Sequence, residues 1–99
     1  MEGYAVFSEE TAIIVEKEQK KLRQEIARQY VDCRKRKKLT QADVAAAAGM
    51  KRPGITRFET GRYNPTVDLL VRLAESMGMS VEIRLVEKAA AEEKQVQNS

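Results

Sequence analysis

The apolar residues in the first third of the chain recur with a helical period. One stripe is spaced by four, four and three residues: Leu22, Ile26, Tyr30 and Cys33. This spacing places them on one face of an amphipathic helix, and Ser8 followed by two glutamates is typical of a helix start. Glycine and proline are absent from residues 9–38. The apolar residues Ile13–Val15 therefore belong either to this helix or to a separate short helix.

Two shorter helices are predicted next, joined by a tight turn. Thr40, with Asp43 three residues later, resembles a capping box and predicts a helix over residues 41–48 that Gly49 ends. A third helix is predicted from about residue 52 to residue 59 or 60, although it opens with Pro53 and Gly54. Proline is tolerated in the first turn because its missing N–H would be unpaired there. Gly54 leaves a bare helix start that another molecule can approach closely.

The hydrophobic pattern changes from helix to strand after residue 78. Thr66 caps a fourth predicted helix, with Val67, Leu70 and Leu73 on its apolar face and Gly78 at its end. The stretch "SVEIRLV" then alternates, which predicts a half-buried strand over residues 80–86. The apolar positions of this strand are Val81, Ile83 and Leu85.

One strand cannot satisfy its own backbone hydrogen bonds. It pairs either with Tyr4–Phe7 or with the same strand of a second chain, and we favour the second chain. The elements together predict a mainly α fold: a compact bundle of about five helices that contains a helix-turn-helix, with one short C-terminal β-strand that pairs across a dimer. We divide the chain into an acidic N-terminal extension (1–20), a helix-turn-helix domain (21–79), a dimerisation strand (80–87) and a flexible tail (88–99).

The charges are segregated along the chain. Residues 1–19 carry five glutamates and one lysine, whereas residues 20–72 carry fourteen Lys or Arg and five acids, a net charge of +9. The run "RKRKK" at residues 34–38 also complements the negative end of the first helix dipole. A compact core at +9 nevertheless favours a polyanionic partner.

Composition argues against several other functions. The chain has no histidine, which is the commonest general base and metal ligand, and its single cysteine, Cys33, provides neither an internal disulfide nor a zinc cluster. It also lacks a Gly-rich phosphate loop, so we expect no enzyme, no metal and no cofactor. No apolar run approaches the length of a membrane span, and the N-terminus does not resemble a signal peptide. We expect a protein of the bacterial-type cytosol or nucleoid.

The stretch "LTQADVAAAAGMKRPGITRFETGRYNPTVDLLVRLAESMGM" resembles the helix-turn-helix of the Xre, or Cro/cI-like, transcriptional regulators. The resemblance covers residues 26–79. Its pattern comprises Leu39-Thr40-Gln41, Ala45, Gly49, Ile55, Glu59-x-Gly61, Asn64-Pro65, Leu69 to Leu73 and Gly78. It implies that Gln41 holds a DNA phosphate and that Glu59 forms a structural salt bridge with Arg34.

The same resemblance implies a set of DNA-contacting residues. Base edges would be read from the positions of Lys51, Arg52, Pro53 and Arg57, and the loop from Arg62 to Asn64 would touch the backbone. The predicted DNA-binding residues are Gln41, Lys51, Arg52, Pro53, Gly54, Thr56, Arg57, Arg62 and Asn64. Pro53 and Gly54 stand where the family commonly has polar residues, so recognition of the base edges depends more on Arg52 and Arg57.

These observations favour a sequence-specific, double-stranded DNA-binding transcriptional regulator, a repressor that acts as a dimer on a palindromic operator. Two alternatives stay open. The predicted strand and the acidic extension are similar to antitoxins of the HigA and HipB types, which would make the chain an antitoxin that also binds a toxin protein and autoregulates its operon. A helical protein-interaction module without DNA binding is the other alternative, but it has no need for the basic core.

Overall fold

The computed structural model describes residues 8–88. This range contains four helices: α1 (Glu9–Arg36), α2 (Gln41–Ala48), α3 (Arg52–Glu59) and α4 (Val67–Ser76). The prediction of a mainly α fold is confirmed, but residues 8–88 form four helices where about five were predicted for the chain. Ile13–Val15 lie within α1, which continues for 28 residues because no glycine or proline interrupts it.

The predicted C-terminal strand is not formed within residues 8–88, where residues 81–87 have no regular secondary structure. A strand is defined by hydrogen bonds to a neighbouring strand, and no other segment of the described range offers one. Tyr4–Phe7, the alternative partner, lie outside the described residues, as does the predicted tail beyond Lys88. Residues 8–20 of the predicted extension are continuous with the helical bundle through α1.

The helix ends follow the capping residues in the sequence. The side chain of Ser8 accepts a hydrogen bond from the N–H of Thr11, and the side chain of Thr66 accepts one from Leu69. Thr40 and Asp43 form a reciprocal capping box, in which the backbone N–H and then the hydroxyl of Thr40 hold the pKa of Asp43 below its usual value. These caps fix the starts of α1, α4 and α2.

The core lies where α2 packs against α3 and α4, and where α3 packs against the second half of α1. Ile55 and Leu73 are its most deeply buried large side chains. Tyr30 of α1 meets Phe58 of α3 edge to face, with the ring centroids 5.1 Å apart. The first half of α1 differs, because no side chain of residues 9–22 is buried there.

Gly61 sets the approach of α3 to α1. Its φ of +76° is in the left-handed region, and a Cβ at this position would lie 3.2 Å from the Cα of Gln24. Any other residue would push the C-terminal end of α3 away from α1. The orientation of α3 in the bundle therefore depends on this glycine.

Candidate nucleic-acid interface

The start of α3 is exposed and basic. Lys51 occupies the N-cap position without a side-chain capping bond, and Pro53 lies in the first turn. Lys51, Arg52 and Pro53 are all exposed. Pro53 has no N–H and the N–H of Gly54 donates to the carbonyl of Lys51, so the two cations are the main feature that suits this surface to an anionic ligand.

Gly54 lies close to Met50, which is in the turn between α2 and α3. A Cβ at this position would lie 3.0 Å from the terminal methyl carbon of Met50. Gly54 is itself half-buried rather than exposed. That methyl carbon is the far end of a flexible side chain and can move aside, so this contact alone does not require glycine at position 54.

One side of α3 is buried and the other is exposed. Ile55 and Phe58 point into the core, and the exposed residues of the helix and its C-cap are Arg52, Pro53, Thr56, Arg57 and Thr60. The exposed face contains no acidic side chain. This face has the arrangement required of a helix that enters a nucleic-acid groove.

A chain of polar contacts connects this exposed face to α1. Glu59 accepts hydrogen bonds from Nε of Arg34 at 2.7 Å and from Nη2 of Arg34 at 3.0 Å. The same carboxylate accepts from Nε2 of Gln41 at 2.9 Å. The ion pair is largely buried, since the Arg34 and Glu59 side chains are 12% and 11% exposed. It fixes Gln41 at the junction of α1, α2 and α3.

Gln41 in turn holds two side chains of α3. Its Oε1 accepts a hydrogen bond from Nε of Arg52 at 3.3 Å and from the hydroxyl of Thr56 at 3.1 Å. The resemblance implies a phosphate contact for Gln41. In the structure Oε1 of Gln41 arranges the start of α3, while Nε2 has a second N–H that makes no hydrogen bond within residues 8–88, so the phosphate contact stays a prediction. The hydrogen bonds of Gln41 with Arg52 and Thr56 span 11 and 15 positions of the sequence, so no local sequence pattern predicts them.

Arg57 lies on a different flank of α3. Its Cζ is 5.8 Å from the centroid of the Tyr63 ring, a cation–π geometry. Arg57 and Tyr63 line a cleft of about 370 Å³ together with Arg72 of α4. Neither Tyr63 nor Arg72 was among the predicted DNA-binding residues, although Tyr63 lies within the loop from Arg62 to Asn64 that was expected to touch the DNA backbone. Arg62 and Asn64, which were predicted, are exposed on that loop.

The residues predicted to dimerise lie on a second surface. Val81 is half-buried against the core, while Ile83 and Leu85 are 66% and 100% exposed. An apolar groove of about 400 Å³ runs between α1, α4 and residues 79–84, with Leu22 and Ile83 among its lining. This surface has the apolar character of an interface, on a part of the molecule separate from the exposed residues of α3.

The described residues contain neither a cluster of metal-ligating side chains nor a helix long and apolar enough to cross a membrane. Cys33 is buried in the core, 6% exposed.

Residues 32–83 match the helix-turn-helix family. The regulator y4dJ of Sinorhizobium fredii, named an uncharacterised HTH-type transcriptional regulator, is 36% identical over 59 residues, which are 60% of this chain and 77% of that protein. YqaE of Bacillus subtilis has the same kind of name and is 36% identical over 53 residues, 54% of this chain and 46% of that protein.

A solved structure described as a toxin–antitoxin module from Streptococcus pneumoniae is similar with a TM-score of 0.56. The similarity covers 83% of this chain and 85% of that chain at 24% identity, which shows a shared fold. Because the family match spans more than half of the sequence and includes the α2–turn–α3 unit, the protein belongs to the helix-turn-helix family.

Proposed function

We propose that the protein is a sequence-specific, double-stranded DNA-binding transcriptional regulator that acts as a dimeric repressor on a palindromic operator in the bacterial cytoplasm. The observation that carries this proposal is the exposed, acid-free face of α3, whose Arg52 is held by Gln41 at the edge of the buried Arg34–Glu59 pair. The names of the two relatives support the assignment.

Arg52 is the strongest candidate for reading a base. Only its Nε is hydrogen-bonded within residues 8–88 and the side chain is exposed, so both terminal amino groups are free to donate to a ligand. Two parallel N–H groups match O6 and N7 of guanine, the commonest specific contact of arginine in the major groove. Because the hydrogen bond to Gln41 already holds the Arg52 side chain, less conformational entropy is lost when Arg52 binds a base.

The other predicted residues surround this contact. Lys51, Pro53, Gly54 and Thr56 lie along the start of α3, where Pro53 offers only an apolar contact, such as to a thymine methyl group. Arg62 and Asn64, which are exposed on the loop after α3, would contact the backbone of the duplex. Gln41 contributes mainly by orienting Arg52 and Thr56.

A dimer would present two copies of α3 to successive major grooves about 34 Å apart. The exposed Ile83 and Leu85 and the adjacent apolar groove support pairing of residues 80–86 with their counterparts in a second chain. In such a pairing the predicted strand would find the backbone partner that residues 8–88 of one chain do not offer.

The proposal is tested by selecting genomic DNA fragments that bind the purified protein and sequencing them. We expect a palindromic sequence to be enriched. We also expect the affinity for that sequence to fall steeply as salt is raised, because phosphate contacts release counterions. Enrichment of no sequence would refute the proposal and would favour the interaction module that does not bind DNA.

An antitoxin is the second candidate, and the first half of α1 favours it. Ile13 and Ile14 are 52% and 51% exposed on a helix segment that also carries Glu9, Glu10 and Glu16. A basic toxin protein would complement this acidic and apolar surface. Co-expression with the product of the adjacent open reading frame, followed by co-purification and a growth assay, tests the candidate.

A further inference from the structure

The two arginines of α3 are held by different neighbours. Arg52 is hydrogen-bonded to Gln41 of α2, whereas Arg57 lies over the ring of Tyr63, in the loop that leads to α4. Residue 57 is about 100° further around the helix than residue 56. Arg57 is therefore directed toward the α4 flank and not toward the flank shared by Arg52 and Thr56.

The cleft on this flank has an excess of positive charge. Arg57 and Arg72 line it with a single carboxylate, that of Asp68. Neither arginine forms an ion pair with any residue of the described range 8–88, and both are exposed. Two arginines that line one cleft favour a ligand with several anionic oxygens, whereas the edge of a base offers none.

We infer that Arg57 and Arg72, with Tyr63 as the positioning residue, form a clamp for a backbone phosphate of duplex DNA on the α4 side of the recognition helix. The clamp rests on the proposed function. It reassigns Arg57 from base reading to alignment of the duplex, and it adds Tyr63 and Arg72 to the interface. The Arg57 guanidinium lies over the Tyr63 ring and makes no hydrogen bond within residues 8–88, so its N–H groups are available to the phosphate oxygens.

The clamp predicts the effect of substituting four residues of the cleft: Arg57, Arg72, Asp68 and Tyr63. Arg57→Ala and Arg72→Ala each lower the affinity for every duplex by the same factor, on the order of tenfold per contact. Asp68→Asn removes the opposing carboxylate and raises the affinity for every duplex. Tyr63→Leu weakens binding several-fold, whereas Tyr63→Phe keeps the ring and restores it.

The experiment measures fluorescence anisotropy with two labelled duplexes of equal length, the sequence enriched by genomic selection and a random sequence, at two salt concentrations. For Arg57→Ala and Arg72→Ala we expect the slope of log K against log salt to fall by about 0.9 per lost contact. Arg28→Ala is the matched control, since Arg28 is exposed on α1 outside the cleft and its loss should change neither affinity nor slope appreciably.

A repeat of the selection with Arg57→Ala decides between the two roles of Arg57. If Arg57 holds a phosphate, the Arg57→Ala variant should select the same preferred sequence as the wild-type protein. A changed preference at one base pair per half-site, or no effect of Arg72→Ala and Asp68→Asn on either duplex, would overturn the clamp while leaving the proposed function intact. If the wild-type protein binds neither duplex, the proposed function fails and the clamp fails with it.

Discussion

Replacement of Glu59 by glutamine changes one atom at the point where α1, α2 and α3 are joined. The carboxylate accepts three hydrogen bonds, two from Arg34 and one from Gln41, at distances of 2.7 to 3.0 Å. Glutamine keeps the size and shape of glutamate but has only one acceptor oxygen. Its amide NH₂ must therefore face a donor of Arg34 or of Gln41, and the guanidinium loses its counter-charge.

The magnitude of the effect follows from burial. Only 12% of the Arg34 side chain and 11% of the Glu59 side chain are exposed. Removal of one partner from a buried ion pair costs about 3–5 kcal/mol, and the residual exposure places Glu59→Gln near the lower value, at about 3 kcal/mol. In a domain of this size that loss lowers the melting temperature by roughly 12–24 °C.

Urea denaturation followed by far-UV circular dichroism measures this change, and the chain contains a matched control. Glu82 forms an ion pair with Arg84 at 3.2 Å, but these side chains are 73% and 75% exposed. An exposed pair contributes little, so Glu82→Gln should change the free energy of unfolding by less than about 1 kcal/mol. Equal unfolding free energies for Glu59→Gln and Glu82→Gln would refute the argument from burial.

Four further outcomes are expected. Arg52→Ala should cost about 1–3 kcal/mol on the selected duplex and relax the preference at one base pair per half-site, as measured by competition with single-base variants. Ile83→Asp should yield monomers that keep their helical content and bind the operator more weakly, and a dimer in sedimentation would exclude residues 80–86 as the interface. Cys33, buried in the core, should react slowly with a thiol reagent until the protein is unfolded, and rapid labelling of the native protein would contradict this. Burial raises the pKa of Tyr30, and the electrostatic effect of Cys33 raises it further. The folded state therefore keeps a proton that the unfolded state loses above about pH 10, so the free energy of unfolding should fall as pH rises above that value. Tyr30→Phe should lose less stability than the wild type over that interval, although it starts lower because the hydrogen bond to the carbonyl of Leu70 is gone.

Much of the fold could be predicted because its determinants are local. The capping residues Ser8, Thr40 and Thr66 are read directly from the sequence, and each accepts the expected backbone hydrogen bond. Gly49 adopts the left-handed conformation of a helix end, with φ of +68°. The strand could not be predicted in this way, because a strand forms only beside a partner backbone, and a pattern of alternating residues does not show whether that partner exists.

The site was harder to predict because its contacts are distant in sequence. The exposure of Arg52 and Arg57 follows from the helical period, since Ile55 and Phe58 define the buried side. Which neighbour holds each arginine does not follow from that period. Gln41 reaches Arg52 across the helix-turn-helix, and Tyr63 reaches Arg57 across the end of α3, and both contacts depend on the packing of complete helices.

The long helix α1 is continuous in structure but uneven in stability. Its second half is fastened to the core, whereas residues 9–22 bury no side chain. Helical segments shorter than about 12–15 residues are marginal in water without tertiary contacts, so the backbone of the first half should open far more often than that of the second. For a protein that covers this half, the local free energy of helix formation becomes part of the binding free energy. The affinity of such a partner would therefore change with substitutions that alter the helix propensity of this half, even at positions that the partner does not contact.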